Sequence, residues 1–300
     1  MNDKIKEKMK EQGYRFTGKN SAVKVCEWCR EAIRGNNVCY KQKFYGIESN
    51  RCIQMTPNVF GCTHNCKFCW RTLDYERNTN LEWDDPKEIY ENSIKEQKQL
   101  LVGFYGSDNK DKKKLEKAME PNQFAISLTG EPTMYPYLPE FIDIIKNNGK
   151  TAYLVSNGTI PKMVKKLKNH QPTNMYVTLP ANSKKMYKRV CKPIINNGWE
   201  NLNKSLSMLK NFDTSVLRLT MVNGLNMKDP KKYAKIIDST NPKYVEVKAF
   251  MAIGGARKRL GVEYMPTQKE IKKFAIKIEK HSNFNIKNEK EDSRVVLLES

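Results

Sequence analysis

The chain has 300 residues, 39% hydrophobic and 29% charged, enough to bury the core of one large domain or two small ones. No run of about 18 apolar residues appears, which argues against a membrane-spanning helix. The opening MNDKIKEKMKEQ lacks the apolar stretch of a secretory leader, so a cytoplasmic protein is expected. Its net charge of +21, from 54 basic against 33 acidic residues, favours a polyanionic partner such as RNA, although a Lys-rich composition gives the same excess without one.

In chain order, apolar residues recur at near-helical spacing from Ala22 through Trp28 to Ile33 and predict a short cysteine-bearing helix. A turn-rich stretch with Cys39, Gly46, Cys52 and Pro57 follows, then the motif GCTHNCKFCW at 61–70. Beyond it β-rich runs alternate with helical stretches. IQMTPNVF (53–60), FAISLTG (124–130), TAYLVSNG (151–158), MYVTLPA (175–181), VLRLTMV (216–222) and YVEVKAFM (244–251) read as strands. Residues 86–101, 137–148, 199–210, 230–239 and 267–280 read as helices, with Pro86, Pro161 and Pro230 at first-turn positions. Near-continuous apolar strands alternating with helices imply six parallel βα units, either an open doubly wound sheet or an incomplete barrel. In both, ligands gather at the carboxyl ends of the strands. Polar and glycine residues stand at or near those ends: Thr129, Gly130, Glu131, Ser156, Asn157, Gly158, Thr178, Arg218, Thr220 and Lys248. The Lys-rich segment 108–117 reads as a solvated loop and helix start, or as a patch for phosphate.

Three thiols in eight residues, Cys62-x3-Cys66-x2-Cys69, admit a disulfide knot, a zinc site or an iron–sulfur cluster. A reducing compartment disfavours the disulfide. Structural zinc prefers paired Cys-x2-Cys knuckles with a fourth ligand nearby. Three thiolates on one tight loop suit a [4Fe–4S] cube whose fourth iron stays open. His64 within the motif reads as a loop residue before a ligand.

CxxxCxxC with Phe68 before the last cysteine resembles the signature of the radical S-adenosylmethionine (radical SAM) superfamily. The resemblance implies an incomplete (β/α)6 TIM-like barrel, a cluster held by Cys62, Cys66 and Cys69, and SAM chelated on the open iron. It implies that Thr129, Gly130 and Glu131 in SLTGEPTMYP meet the SAM ammonium, and that Ser156 and Asn157 in VSNGT meet its ribose. Phe68, Thr178 and Arg218 complete the expected cofactor contacts, while Pro180 departs from the polar residue of many relatives. Without the resemblance, each segment is an ordinary strand-to-helix turn.

Cys26, Cys39 and Cys52 stand thirteen residues apart just before the motif. Three thiolates there suit a second [4Fe–4S] cluster, and with Cys29 they suit a four-thiolate zinc knot instead. Cys191 reads as an unligated thiol. CYKQKFYGIESNRCIQMTP, GEPTMYPYL, YVEVKAFM and EDSRVVLL resemble the archaeal tRNA 4-demethylwyosine synthase family over nearly the whole chain. That resemblance assigns the second cluster to Cys26, Cys39 and Cys52 and leaves Cys29 spare. It divides the chain into an N-terminal extension, 1–52, carrying that cluster, and a radical SAM core with a C-terminal cap, 53–300.

The implied activity is that of a carbon–carbon lyase in tRNA processing. N1-methylguanosine beside the anticodon of phenylalanine tRNA (position 37) condenses with a two-carbon unit of pyruvate to give tricyclic 4-demethylwyosine. Hydrogen leaves the N1-methyl group, the carbon radical attacks the keto carbon, the carboxylate carbon is lost and the ring closes. Pyruvate is held by the second cluster or as a Schiff base on lysine, with Lys41, Lys43 and Lys248 the candidates and Lys41 preferred. The guanine must be turned out of its stack, and phosphate contacts are expected near Arg71 and Arg77 and at Arg257, Lys258 and Arg259. A monomer served by a separate flavodoxin- or ferredoxin-like electron donor is expected. The competing readings are a radical SAM activating enzyme with a protein partner and a non-catalytic zinc-binding RNA-binding protein.

Overall fold

A computed structural model describes residues 3–71 and 82–300, which fall into two compact units. The first comprises 3–61 and 82–154, and the second 62–71 and 155–300.

The first unit opens with helix α1 (Asp3–Glu11) and strands β1 (Arg15–Phe16) and β2 (Ala22–Val23). Helices α2 (Glu27–Ile33) and α3 (Tyr40–Tyr45) precede β3 (Cys52–Thr56). The helix expected from Ala22 therefore begins only at Glu27, because Ala22 and Val23 pair antiparallel with Thr56 and Met55. Pairing with a neighbour overrides local periodicity. Helix α4 (Pro86–Leu101), helix α5 (Lys112–Ala118), β4 (Gln123–Ile126), α6 (Leu138–Asn147) and β5 (Thr151–Ser156) complete the set. Strands β3, β4 and β5 run parallel, with Ile53 opposite Phe124 and Phe124 opposite Ala152. All four residues of β4 are buried, as a strand covered on both faces requires. Helix α4 starts where the sequence says it should: Pro86 occupies the first turn and the Asp85 carboxylate accepts from Lys87 and Glu88 N–H.

The second unit contains helix α7 (Pro161–Lys166), β6 (Asn174–Thr178), α8 (Lys184–Cys191), α9 (Gly198–Leu206), β7 (Ser215–Met221), α10 (Pro230–Thr240) and β8 (Tyr244–Ala249). Helices α11 (Gly254–Arg259) and α12 (Gln268–Glu279) and strands β9 (Asn285–Lys290) and β10 (Val295–Glu299) follow. Strands β6, β7 and β8 are parallel, and β10 then β9 add antiparallel beyond β8. Helix α12 is closed by a capping box between Thr267 and Glu270. All six expected core strands are present, three parallel strands in each unit. The terminal hairpin β9–β10 was not among the predicted elements: β9 (NIKNEK) lacks apolar alternation and is a strand only because β10 pairs with it.

Candidate functional site

In the second unit the cysteine loop is held from three directions. The Asn157 amide, just past the end of β5, donates to the Cys62 sulfur at 3.7 Å and to Thr63 Oγ1 at 2.9 Å, while its carbonyl oxygen accepts from Thr159 N–H and O–H. Thr63 and Thr159 hydroxyls join at 2.7 Å. The Arg259 guanidinium at the end of α11 donates to the carbonyls of Lys67, Cys69 and Arg71. Gly254 starts α11 with φ +52° against the Trp70 carbonyl, where a Cβ would come within 2.4 Å, and Gly255 N–H donates to that oxygen at 2.7 Å. Cys62 is buried; Cys66, Phe68 and Cys69 are half-buried. Burial opposes a thiolate at Cys69, but Arg71, with Arg259 behind it, outweighs burial and holds the thiol below its ordinary range. This is an environment built for a sulfur anion.

In the first unit the segment after β4 is folded tightly onto the turn after β3. Thr56 O–H donates to the Thr129 carbonyl at 2.6 Å, Glu131 N–H to the Gly61 carbonyl at 2.8 Å, and the Asn58 amide to the Glu131 carbonyl at 3.1 Å. Gly130 has φ +72°, and a Cβ there would lie 1.7 Å from the Asn58 carbonyl oxygen. The Glu131 carboxylate accepts from Thr133 N–H and O–H. Thr129 Oγ1 is buried and has no hydrogen-bond partner among the described residues. A buried, unsatisfied hydroxyl oxygen at this point fits a bound ammonium group.

The N-terminal cysteines lie in the same unit. Cys26 and Cys39 stand immediately before α2 and α3, and Cys52 begins β3. Burial, and then the charge of Cys39, push the Cys26 thiol up to about 11. Burial, and then Cys26, push Cys52 higher still. Cys29 is raised in the same way, by burial and then by Cys26 and Cys52. Lys41 acts in the other direction on Cys26 and Cys52. It is 8% exposed, with its ammonium 5.2 Å from the Tyr153 ring centroid, and Tyr45 meets that ring edge-on. Cys29 is fully buried among Val25, Ile33, Leu101 and Leu115 and donates to the Asn50 carbonyl at 3.4 Å.

Lys43 is exposed. Lys248 donates its amine to the Ser293 carbonyl. Arg218 lies within β7 rather than at its end, pairs with the fully buried Glu246 at 2.9 Å and stacks on Tyr176. Ser156 Oγ accepts from Gly158 N–H, and Thr178 is half-buried opposite Arg218. Arg257 and Lys258 are exposed, whereas Arg259 serves the cysteine loop. Arg77 lies outside the described residues. The role of Arg259 in holding the cysteine loop is not legible in the sequence, since only folding brings residue 259 to that loop.

Whether the thiols suit iron–sulfur cubes or zinc is tested by their spacing. One zinc ion with Zn–S near 2.3 Å needs its donors within about 4 Å of one another. Among the described residues, three such donors lie within 4.8 Å of one another only at His64, Cys66 and Cys191. Cys62, Cys66 and Cys69, three thiols on one short loop, are the donor set of a cube whose cysteines bind separate irons.

Residues 59–237 match the radical SAM superfamily model, and residues 239–300 match the model for wyosine base formation. The S-adenosyl-L-methionine-dependent tRNA 4-demethylwyosine synthase of Pyrococcus abyssi is 42% identical, over 99% of this chain and 89% of the relative. That of Methanocaldococcus jannaschii is 37% identical, over 97% and 94%. A solved structure of TYW1 with a lysine–pyruvate adduct bound superposes with a TM-score of 0.92 at 35% identity, covering 100% of this chain and 96% of that one.

Proposed function

The chain belongs to the radical SAM superfamily and, within it, to the tRNA 4-demethylwyosine synthase family; on that premise we propose that it condenses N1-methylguanosine of phenylalanine tRNA with the two-carbon unit of pyruvate, using Lys41 to bind pyruvate. SAM and a [4Fe–4S] cluster are the cofactors of this superfamily. When bound, they supply a carbon radical that abstracts hydrogen from the substrate methyl group. Cys62, Cys66 and Cys69 would hold the cluster, Asn157 steadying the first sulfur and Arg71 the third. Thr129, with Gly130 and Glu131 beside it, would receive the SAM ammonium. Ser156 would meet the ribose, and Phe68, Thr178 and Arg218 would line the cofactor site. Asn157 would meet the ribose beside Ser156, while its side chain also steadies the loop through Cys62, Thr63 and Thr159.

The observation that carries the proposal is Lys41. Among the three candidate lysines it alone combines burial, an aromatic face and two neighbouring thiols. After losing a proton its amine adds to the keto carbon of pyruvate, water leaves and an imine forms. Cys26, Cys39 and Cys52 beside it would hold a second cluster, making residues 1–52 the extension that presents pyruvate to the 53–300 core. The net charge of +21 and the exposed Arg257 and Lys258 support phosphate contacts with tRNA. No helix among the described residues is long and apolar enough to cross a membrane; a cytoplasmic monomer receiving electrons from a separate donor completes the reading.

Reduced protein given SAM, pyruvate and methylguanosine-containing tRNA should yield the tricyclic base by mass spectrometry, and borohydride with pyruvate should label Lys41. Lys41→Arg keeps the charge over Tyr153 and should abolish the label and the product. Labelling at Lys43 or Lys248, undiminished in Lys41→Arg, would refute the assignment. Roughly eight irons per reconstituted chain support two cubes; roughly four would reject the second.

A further inference from the structure

Beside the radical cysteine loop lies a set of donors that this chemistry does not use as a group. The loop is zipped to the end of α8 through its backbone. Asn65 N–H donates to the Cys191 carbonyl and Lys67 N–H to the Val190 carbonyl, each at 2.9 Å, and Ile194 N–H donates to the Thr63 carbonyl at 3.0 Å. His64 and Pro193 form a β-bridge, and Lys192, at φ +43°, turns the chain off the helix. The result draws the ligand atoms of His64, Cys66 and Cys191 within 4.8 Å of one another. His64 is 3% exposed and Cys191 1%. Tyr187 stands edge-on to the His64 ring, its hydroxyl hydrogen-bonded to Nε2. A histidine ring fixed by an outer partner is the usual arrangement around a metal-binding imidazole.

We propose that His64, Cys66 and Cys191 form a zinc-class metal site of the cluster-free protein, mutually exclusive with the radical cluster because both need the Cys66 sulfur. This rests on reading Cys66 as a cluster ligand. Two thiolates and one imidazole are a soft donor set that suits zinc, and tetrahedral zinc would take water as its fourth ligand. Binding releases the protons of Cys66 and Cys191, with no change of oxidation state. Side-chain motion of about 1 Å closes the set to zinc distances. Zinc and iron then compete for one sulfur, and occupancy by zinc blocks assembly of the radical cluster.

The test uses the full chain, anaerobically stripped of metal. Zinc X-ray absorption of a Cys26→Ser/Cys39→Ser/Cys52→Ser variant, which silences the N-terminal thiols, should show two sulfurs and one imidazole. Cys191→Ser should weaken zinc at least tenfold, Tyr187→Phe by about 10–100-fold, and Cys62→Ser not at all. Should the triple variant fail to fold, the wild-type chain should bind one more zinc than Cys191→Ser. Zinc-preloaded wild type should then take up fewer irons than the zinc-free chain, a deficit that Cys191→Ser removes. Three-sulfur coordination lost in Cys62→Ser and kept in Cys191→Ser would overturn the proposal, as would equal iron uptake with and without zinc. Separately, a Cys66→Ser chain that keeps the SAM-perturbed cluster signal in electron paramagnetic resonance would overturn the cluster reading itself.

Discussion

Gly130→Ala tests the packing of the segment that would receive SAM. Alanine at φ +72° costs about 1–2 kcal/mol through left-handed backbone alone. The steric clash costs more: the added Cβ would sit 1.7 Å from the Asn58 carbonyl oxygen and 2.9 Å from that of Gly61. An ordinary carbon–oxygen contact is about 3.3 Å, so backbone must separate by more than an ångström, and no flexible side chain is there to yield. The hydrogen bonds from Glu131 N–H to Gly61 at 2.8 Å and from Asn58 to the Glu131 carbonyl at 3.1 Å would go with it. At about 1 kcal/mol each, they bring the total to about 3–4 kcal/mol. Gly149→Ala is the matched control: φ is +68° but nothing lies within 4 Å of the added carbon, so only the backbone cost of about 1–2 kcal/mol is expected. Urea unfolding of the two variants should differ by at least about 2 kcal/mol, roughly 1 M in midpoint. Agreement of the two within about 0.5 kcal/mol would refute the clash as the reason for glycine at 130.

Other expectations follow from the same contacts. In the cluster-free chain, Cys69 should alkylate at lower pH than Cys26, because Arg71 overcomes burial at the first while burial dominates at the second; Arg71→Ala should remove the difference in a mass-spectrometric pH series. The Cys26 thiol, ordinarily near 9.0 and pushed up to about 11, keeps its proton in the folded state, so its contribution to stability is complete below pH 9 and lost as pH rises from 9 to 11. Cys26→Ala should flatten that stretch of the stability profile. Arg218→Met strands the buried Glu246 carboxylate and should cost about 3–5 kcal/mol, whereas Arg218→Met with Glu246→Leu should recover most of it in a double-mutant cycle. Arg259→Ala frees three carbonyls of the cysteine loop and should lower iron incorporation there, read as the cluster's paramagnetic signal per chain, with little change in thermal midpoint.

What was legible in the sequence was local. CxxxCxxC is one loop, so its spacing limits the metal it can hold, and the alternation of apolar runs with proline-started helices produced all six core strands. The ladder Cys26, Cys39, Cys52 was equally plain. The choice among Lys41, Lys43 and Lys248 was not, because lysine residues differ only in what surrounds them. Tertiary structure buries the first beside Tyr153, leaves the second exposed and ties the third to Ser293. Tertiary contacts likewise turned Ala22 and Val23 into a strand and NIKNEK into the edge of a sheet, where pairing outweighs propensity. They also gave Arg259 to the cysteine loop and brought Cys191 to His64 and Cys66. Chemistry carried by residues a few positions apart is written in their spacing. Chemistry that depends on burial or on partners more than a hundred residues away exists only once the backbone hydrogen bonds of the fold have closed.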